Sequence, residues 1–102
     1  MTFKIKLKVG YFKTELYNLA ISEGNITLSP LDNKADFLFI ENSELKSVGY
    51  IKRENREGEL EIITSDTIYT GTLLASDSLV ELYKTLSKEL GNKFAFHKGV
   101  PE

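Results

Sequence analysis

The sequence contains no cysteine, which excludes disulfide bonds, thiolate metal ligands and thiol nucleophiles. Its single histidine, His97, lies near the C-terminus, where neither a pair of histidine metal ligands nor a Ser-His-Asp triad can be built around it. The seven glycines are dispersed and form no phosphate-binding loop of the GxGxxG or GxxxxGK(S/T) type. We therefore expect no enzymatic activity, no cofactor and no metal site.

Long apolar runs are also absent. No stretch approaches the roughly 20 apolar residues that a membrane-spanning helix needs. The first residues, MTFKIKLKVGYF, alternate lysine with apolar residues and so lack the continuous apolar segment of a signal peptide. These features predict a cytoplasmic protein that keeps its N-terminus.

Neither sign of charge dominates the chain. Its 13 basic and 15 acidic side chains give a net charge of −2, so no overall field draws the protein to nucleic acid or to an anionic membrane. A second basic cluster, formed by Lys52, Arg53 and Arg56, is interleaved with Glu54, Glu57 and Glu59, which largely cancel its charge locally. We interpret this cluster as a solvated hairpin tip and expect no binding of nucleic acid.

The length of 102 residues and the hydrophobic content of 41% suffice for one domain with one modest core. Only two prolines interrupt the chain, and it contains no internal repeat or low-complexity segment. We expect a single domain over residues 1–91. The tail at residues 92–102 would then serve as a docking arm or add a further strand.

One segment, residues 77–91, has the periodicity of an amphipathic helix. Its apolar face would consist of Leu79, Leu82, Tyr83, Leu86 and Leu90. Ser78 and Glu81 match the capping box of a helix start, and Gly91 suits the left-handed conformation common at a helix end. This helix needs an apolar surface to pack on, which the preceding strands must supply.

Residues 3–9 alternate with a period of two, which predicts a half-buried strand. The inward face would consist of Phe3, Ile5, Leu7 and Val9. The outward face would consist of Lys4, Lys6 and Lys8.

A second strand is predicted over residues 15–21, where the apolar side chains available for burial are Leu16, Leu19 and Ile21. The sequence Glu23-Gly24-Asn25 favours a tight turn, because glycine and asparagine tolerate positive φ. A third strand then carries Ile26 and Leu28 and ends at Pro30. We expect these two strands to form a hairpin.

Four further strands follow. The apolar run at residues 37–40 predicts a fourth strand covered on both faces, and residues 45–51 predict a fifth with a bulge near Gly49. A sixth strand at residues 60–63 leads through a turn at Ser65-Asp66 into a seventh at residues 67–74.

The segments ELYNLAISEGNITL, ELKSVGYIKR and LEIITSDTIYTGTLL, followed by SLVELYKTLSKEL, together resemble bacterial pleckstrin-homology-like (PH-like) and GRAM-like domains over residues 15–90. The resemblance implies a mainly β fold, a two-sheet sandwich or barrel of about seven antiparallel strands closed by one C-terminal amphipathic helix. Such domains bind phosphoinositides, peptides or other proteins, or oligomerise. The fold alone therefore does not select a function.

The resemblance implies that the protein could bind anionic lipid. The candidate contact residues are Lys4, Lys6, Lys8 and Lys13. Phosphoinositide-binding members carry a pattern resembling K-x(n)-K/R-x-R, but Glu15 stands two residues after Lys13, where the pattern has arginine. This departure speaks against specific inositide binding. Lysines on an edge strand that discourage aggregation are the alternative interpretation.

Protein binding is the function that we favour, as a non-catalytic docking or self-associating module. Exposed aromatic residues commonly anchor such interfaces, and the candidates are Tyr11, Phe12, Tyr17, Phe94 and Phe96. The alternative for each ring is a place in the core. Weak membrane contact is the second hypothesis, and a small-ligand or catalytic cleft is the third.

Overall fold

The computed structural model describes residues 2–9, 13–32, 37–52, 58–74 and 79–98. These residues form eight strands and one α-helix: β1 (Thr2–Lys8), β2 (Thr14–Ser22), β3 (Asn25–Pro30), β4 (Leu38–Ile40), β5 (Leu45–Lys52), β6 (Glu59–Thr64), β7 (Ile68–Leu73), α1 (Leu79–Leu90) and β8 (Phe94–Lys98). A single 3₁₀ turn, Gly91–Lys93, joins α1 to β8.

The strands form one mixed sheet in the order β4-β3-β2-β1-β7-β6-β5-β8. All neighbouring strands are antiparallel except β5 and β8, which run parallel. The mainly β fold with one C-terminal helix is therefore confirmed, with an eighth, parallel strand that the expected antiparallel set did not include. Strands β4 and β8 are the two edges, so the sheet is not closed.

The alternation in β1 is confirmed for three of its four inward residues. Phe3, Ile5 and Leu7 are buried and the three lysines are exposed. Val9 is exposed because the strand ends at Lys8 and the chain leaves the pleat there. The expected burial of Val9 is wrong.

Strand β2 places Tyr17, Leu19 and Ile21 on the inner face of the sheet. Leu16 is exposed on the outer face, because residues an odd number apart in a strand point to opposite sides. The expected burial of Leu16 is therefore wrong, and Tyr17 takes its place in the core.

The hairpin between β2 and β3 is confirmed. Glu23 and Gly24 both have positive φ, and the ladder pairs Ser22 with Asn25 on either side of the turn. Ile26 and Leu28 are buried, and β3 ends at Pro30 as predicted.

The bulge in β5 lies at a different residue from the one expected. The register of β5 against β6 shifts between Leu45 and Ser47, whereas Gly49 pairs regularly with Glu61. The extra residue is thus Lys46. The shift brings Val48 and Tyr50 onto the inner face, where both are buried.

Helix α1 packs its buried leucines into the same core cluster as the inner face of the sheet; they are Leu82, Leu86 and Leu90. Tyr83 was expected on this face but is half-exposed, and its ring meets Phe94 of β8 edge-on at 5.5 Å between ring centroids. The left-handed Gly91 is confirmed with φ 55°. The capping residues 76–78 lie outside the described residues.

Asn42 joins three turns through hydrogen bonds. Its backbone N–H donates to Oδ1 of Asn25 at 2.9 Å, and its side-chain Nδ2 donates to the carbonyl of Gly24 at 2.9 Å. Lys93 Nζ donates to the carbonyl of Asn42 at 2.6 Å and to its Oδ1 at 3.2 Å. The β2–β3 turn, the β4–β5 turn and the end of α1 are thereby tied together.

We expect Asn42→Ala to lower the free energy of unfolding by about 1–2 kcal/mol, because it removes two side-chain hydrogen bonds of about 1 kcal/mol each. Urea denaturation would measure this loss. The exposed neighbour Ser43 supplies the control Ser43→Ala, which should change stability little. Equal effects of the two substitutions would contradict the role assigned to Asn42.

Burial raises the pKa of the Tyr50 phenol above its ordinary value of 10.0. As the pH rises, the Tyr50 phenol therefore loses its proton earlier in the unfolded chain than in the folded chain. Between the unfolded pKa and the folded pKa, the folded chain binds more protons than the unfolded chain. The contribution to stability is intact below pH 10 and is lost as the pH rises through the folded pKa. Tyr50→Phe should therefore flatten the alkaline fall in stability measured by denaturation above pH 10, and an unchanged fall in this variant would contradict the role assigned to the Tyr50 phenol.

Candidate functional site

The five aromatic residues predicted as a protein interface do not come together on the surface. Tyr17 is only 2% exposed, so its ring belongs to the core and not to a docking surface. This corrects the expectation for Tyr17. Tyr11 and Phe12 lie outside the described residues.

Phe94 packs back on its own domain. It pairs with Val48 in the β5–β8 ladder, contacts Tyr83 and lies partly buried against the core. The tail segment at residues 94–98 thus adds a strand, one of the two roles we considered for it. Phe96 lies opposite Tyr50 in this strand, and its side chain is outside the described part of the structure.

The lysines of β1 lie on the outer face of a central strand. Strand β1 has β2 on one side and β7 on the other, so the interpretation as edge-strand lysines is wrong. Lys6 is level with Thr72 of β7, which is level with Glu59 of β6. The lysine row and a row of glutamates are thus two strands apart, about 10 Å.

Lys13 is partly neutralised by Glu15. Its Nζ lies 3.5 Å from Oε1 of Glu15, while the lysine side chain itself is mostly exposed. Exposed pairs of this kind contribute little to stability. The pair nevertheless places a carboxylate beside the cation that an anionic lipid would need.

Two exposed phenylalanines lie at strand β4, which is an edge of the sheet. Phe37 is 61% exposed and Phe39 is 52% exposed, whereas Leu38 between them is half-buried and Ile40 after them is buried. The expectation that residues 37–40 are covered on both faces is wrong. Nothing among the described residues covers the outer face of this short strand.

Two exposed leucines extend this apolar surface. Continuing the β3–β4 register by one residue places Phe37 level with Ser29, two residues before Leu31, which directly follows β3. Leu31 donates its backbone N–H to the carbonyl of Leu16 at 3.0 Å, which sets these residues side by side. We call the exposed set the β4 patch; it consists of Leu16, Leu31, Phe37 and Phe39.

An open pocket of about 490 Å³ is lined by residues at the end of β1 and at the starts of β2 and β7, together with Leu38 of β4. The residues that line it include Leu7, Lys8, Lys13, Tyr17, Leu38 and Ile68. Leu38 belongs both to β4 and to the pocket wall. The pocket therefore borders the strand that carries the two exposed phenylalanines.

The sequence does not predict the exposure of the β4 patch, because the apolar pattern of this segment is ambiguous. Four consecutive apolar residues fit a strand covered on both sides as well as an edge strand with one exposed face. The lysines were found because alternation shows directly which residues share a face. Only the packing of the described elements reveals that the second face of β4 is uncovered.

Among the described ranges, no group of three histidine, aspartate or glutamate side chains is placed to hold a metal ion. The same part of the chain contains no helix of the length and apolar character needed to cross a bilayer. No protein-family model matches the sequence, and no curated protein is significantly similar to it.

Proposed function

We propose that this chain is a non-catalytic protein-binding module that accepts an extended segment of a partner along the edge of β4. The observation that carries the proposal is the exposure of Phe39 on β4 and of Phe37 directly before it, since β4 has a neighbour on one side only among the described strands. Edge strands accept additional strands through main-chain hydrogen bonds.

Strand addition at β4 combines two sources of binding free energy. The unpaired edge offers backbone N–H and C=O groups to the incoming chain. Outward side chains of the incoming strand would cover the rings of Phe37 and Phe39, which contributes on the order of 1 kcal/mol for each ring. The neighbouring Leu31 and Leu16 extend the apolar contact.

A PH-like domain is the fold family that we propose for the chain. The succession of seven strands and a C-terminal helix supports this assignment, and protein binding is one of the functions that the resemblance implies. A cytoplasmic location is part of the same proposal. The open sheet and the parallel β8 are features that a PH-like assignment has to accommodate.

The proposal is tested by selecting extended peptides from a displayed random library against the wild-type protein. The selected peptides should lose at least tenfold in affinity for Phe39→Ser. They should bind Tyr83→Ser unchanged, because that substitution removes a half-exposed ring from α1, away from β4. Selection of no peptide, or equal binding to wild type and Phe39→Ser, would overturn the proposal.

Sedimentation of the protein alone identifies one particular occupant. If the wild-type protein forms a dimer that Phe39→Ser dissociates, the extended segment comes from a second copy of the chain. If the wild-type protein is a monomer and Phe39→Ser weakens the binding of the selected peptides, the partner is a different protein.

Contact with anionic lipid through Lys4, Lys6, Lys8 and Lys13 is the second candidate function. One observation favours it: the apolar side chains of Val9 and Ile68 are exposed beside Lys8 and Lys13 around the pocket. Binding to phosphatidylserine vesicles at low salt that weakens at ~0.15 M salt would support it. Failure to sediment with vesicles in both conditions, or unchanged binding after charge reversal of the lysines, would exclude it.

A further inference from the structure

We infer that the outer face of strands β1 to β4 binds an amphipathic helix of a partner protein, and that this helix carries acidic residues along the side that lies over β1. The inference goes beyond the proposed function, because it concerns the face of the sheet and not the free edge of β4. The two surfaces share Phe39 but are otherwise separate.

Cross-strand pairing places the exposed phenylalanines and the residues of β1 at opposite ends of the same rows on this face. One row crosses β4, β3, β2 and β1 in the order Phe39, Thr27, Ala20, Thr2. The next row, continued by one residue before β4, has the order Phe37, Ser29, Asn18, Lys4. In the row after that, the exposed Leu16 of β2 is level with Lys6 of β1.

Small side chains occupy the two middle strands. The outward residues of β2 and β3 in the first two rows are half-buried; they are Asn18, Ala20, Thr27 and Ser29. Strands β4 and β1 are three strand spacings apart, about 14 Å. An α-helix with its side chains is about 10–12 Å across, so it matches the width between the phenylalanines and the lysines.

A helix suits the face of a sheet better than an extended chain does. An extended chain laid on the face would bury backbone N–H and C=O groups without partners. A helix satisfies these groups within itself and buries one apolar stripe. The same arrangement is present on the inner face of this sheet, where α1 packs its leucines into the core.

The charges of the outer face call for acidic residues on one side of the helix. Among the described outward residues of β1 to β4, the charged side chains are all lysine: Lys4, Lys6 and Lys8. Glu59 is reached only beyond Thr72, two strands from β1 and on the side away from the β4 patch. A helix seated on Leu16 therefore has lysine along one flank, and carboxylates on that flank complement it.

An anionic bilayer is the other occupant that lysines and apolar side chains on one face can attract. However, carboxylates stand beside the β4 patch: the exposed Asp32 directly follows Leu31, and the exposed Glu41 lies two residues after Phe39. A bilayer surface extends over both carboxylates and repels them, whereas a helix over β2 and β3 is narrow enough to leave them in water. The carboxylates therefore favour the helix.

A displayed library of amphipathic helices tests the inference. Each helix has about 18 residues, with leucine along one side and with glutamate or lysine randomised on both flanks. Selection on the wild-type protein should enrich glutamate on one flank only. The net charge of −2 favours lysine in nonspecific binding, so enrichment of glutamate reports a local basic site.

Variants of exposed residues locate the binding surface while the protein stays folded, which circular dichroism would check. Leu16→Ser should weaken binding of the selected helices at least tenfold. Lys6→Glu should weaken it severalfold, and helices with lysine in place of the flank glutamates should recover it. Lys88→Glu makes the same charge change at an exposed position of α1, which packs on the inner face, and should leave binding unchanged.

Three results would overturn the inference: selection of no helix, selected helices without an excess of glutamate, or equal binding to wild type and Leu16→Ser. Sedimentation with phosphatidylserine vesicles that Leu16→Ser abolishes would also overturn it, because the occupant would then be lipid.

The extended peptides that test docking on β4 give a separate result. Lys6 lies four strand spacings, about 19 Å, from a strand added to β4, so those peptides should bind Lys6→Glu unchanged. If they depend on Phe39 and no helix is selected, this inference is wrong and docking on β4 stands. If helices bind as expected and no extended peptide is selected, docking on β4 is wrong and this inference stands.

Discussion

Leu86→Ala should lower the free energy of unfolding by about 2–5 kcal/mol, the range for removing a large buried aliphatic side chain. Leu86 is 1% exposed and lies in the middle of the buried face of α1, between Leu82 and Leu90. The substitution leaves a cavity between the helix and the sheet, which the surrounding side chains can fill only in part. Urea denaturation would measure this loss as a lower midpoint concentration, with an unchanged slope of unfolding free energy against urea concentration.

The adjacent residue provides the control for Leu86. Ser87 is exposed, and alanine is a better helix former than serine, so Ser87→Ala should not destabilise the protein. A change of less than ~0.5 kcal/mol for Leu86→Ala would mean that the helix face is exposed. Helix α1 would then become a rival to β4 as the docking surface.

Gly58→Ala should cost about 3 kcal/mol, the upper part of the range for overpacking a core. A Cβ atom at Gly58 would lie 2.1 Å from Oη of Tyr50 and 2.4 Å from its Cε1 and Cζ atoms. The Tyr50 ring is only 5% exposed, so it cannot swing into solvent without uncovering the core. The backbone is also held in place, because the carbonyl of Gly58 accepts a hydrogen bond from Leu73 at 3.0 Å.

Two substitutions at Tyr50 test whether the cost of Gly58→Ala comes from a clash with the Tyr50 ring. Tyr50→Phe should not relieve Gly58→Ala, because the ring atoms at 2.4 Å remain. Tyr50→Ala should destabilise the protein alone but should add much less than its full cost in the Gly58→Ala background. Additive costs would contradict the proposed clash.

Gly91→Ala is the comparison variant for Gly58→Ala. A Cβ atom at Gly91 would meet no other atom within 4 Å, so its cost comes only from the positive φ, about 1–2 kcal/mol. This cost should not depend on the residue at position 50.

The edge at β4 is unusual in what it exposes. Edge strands of natural sheets are commonly protected from further pairing by lysine, proline or bulges. Strand β4 itself contains none of these, and it carries exposed phenylalanine instead. An unprotected aromatic edge invites aggregation unless a partner covers it, which is a physical reason to connect this strand with binding.

Local sequence determined the elements of this protein whose signal is contained in a few neighbouring residues. The period of two in β1, the turn at Glu23-Gly24 and the period of 3.6 in α1 predicted their structures, because each pattern states which residues share a face or require positive φ. The lysine row of Lys4, Lys6 and Lys8 was also recognised from this alternation.

Tertiary structure alone decided which of the shared faces are covered. Phe39 is exposed because it points to the outer face of the sheet, which no described residue covers, whereas Tyr17 is buried because it points to the inner face, where the core lies; Phe94 packs against that core because β8 pairs with β5. Sequence periodicity groups side chains into faces, but the burial of a face depends on which distant elements pack on it. That is why the sequence predicted the strands of this protein and its lysine row but not its exposed aromatic edge.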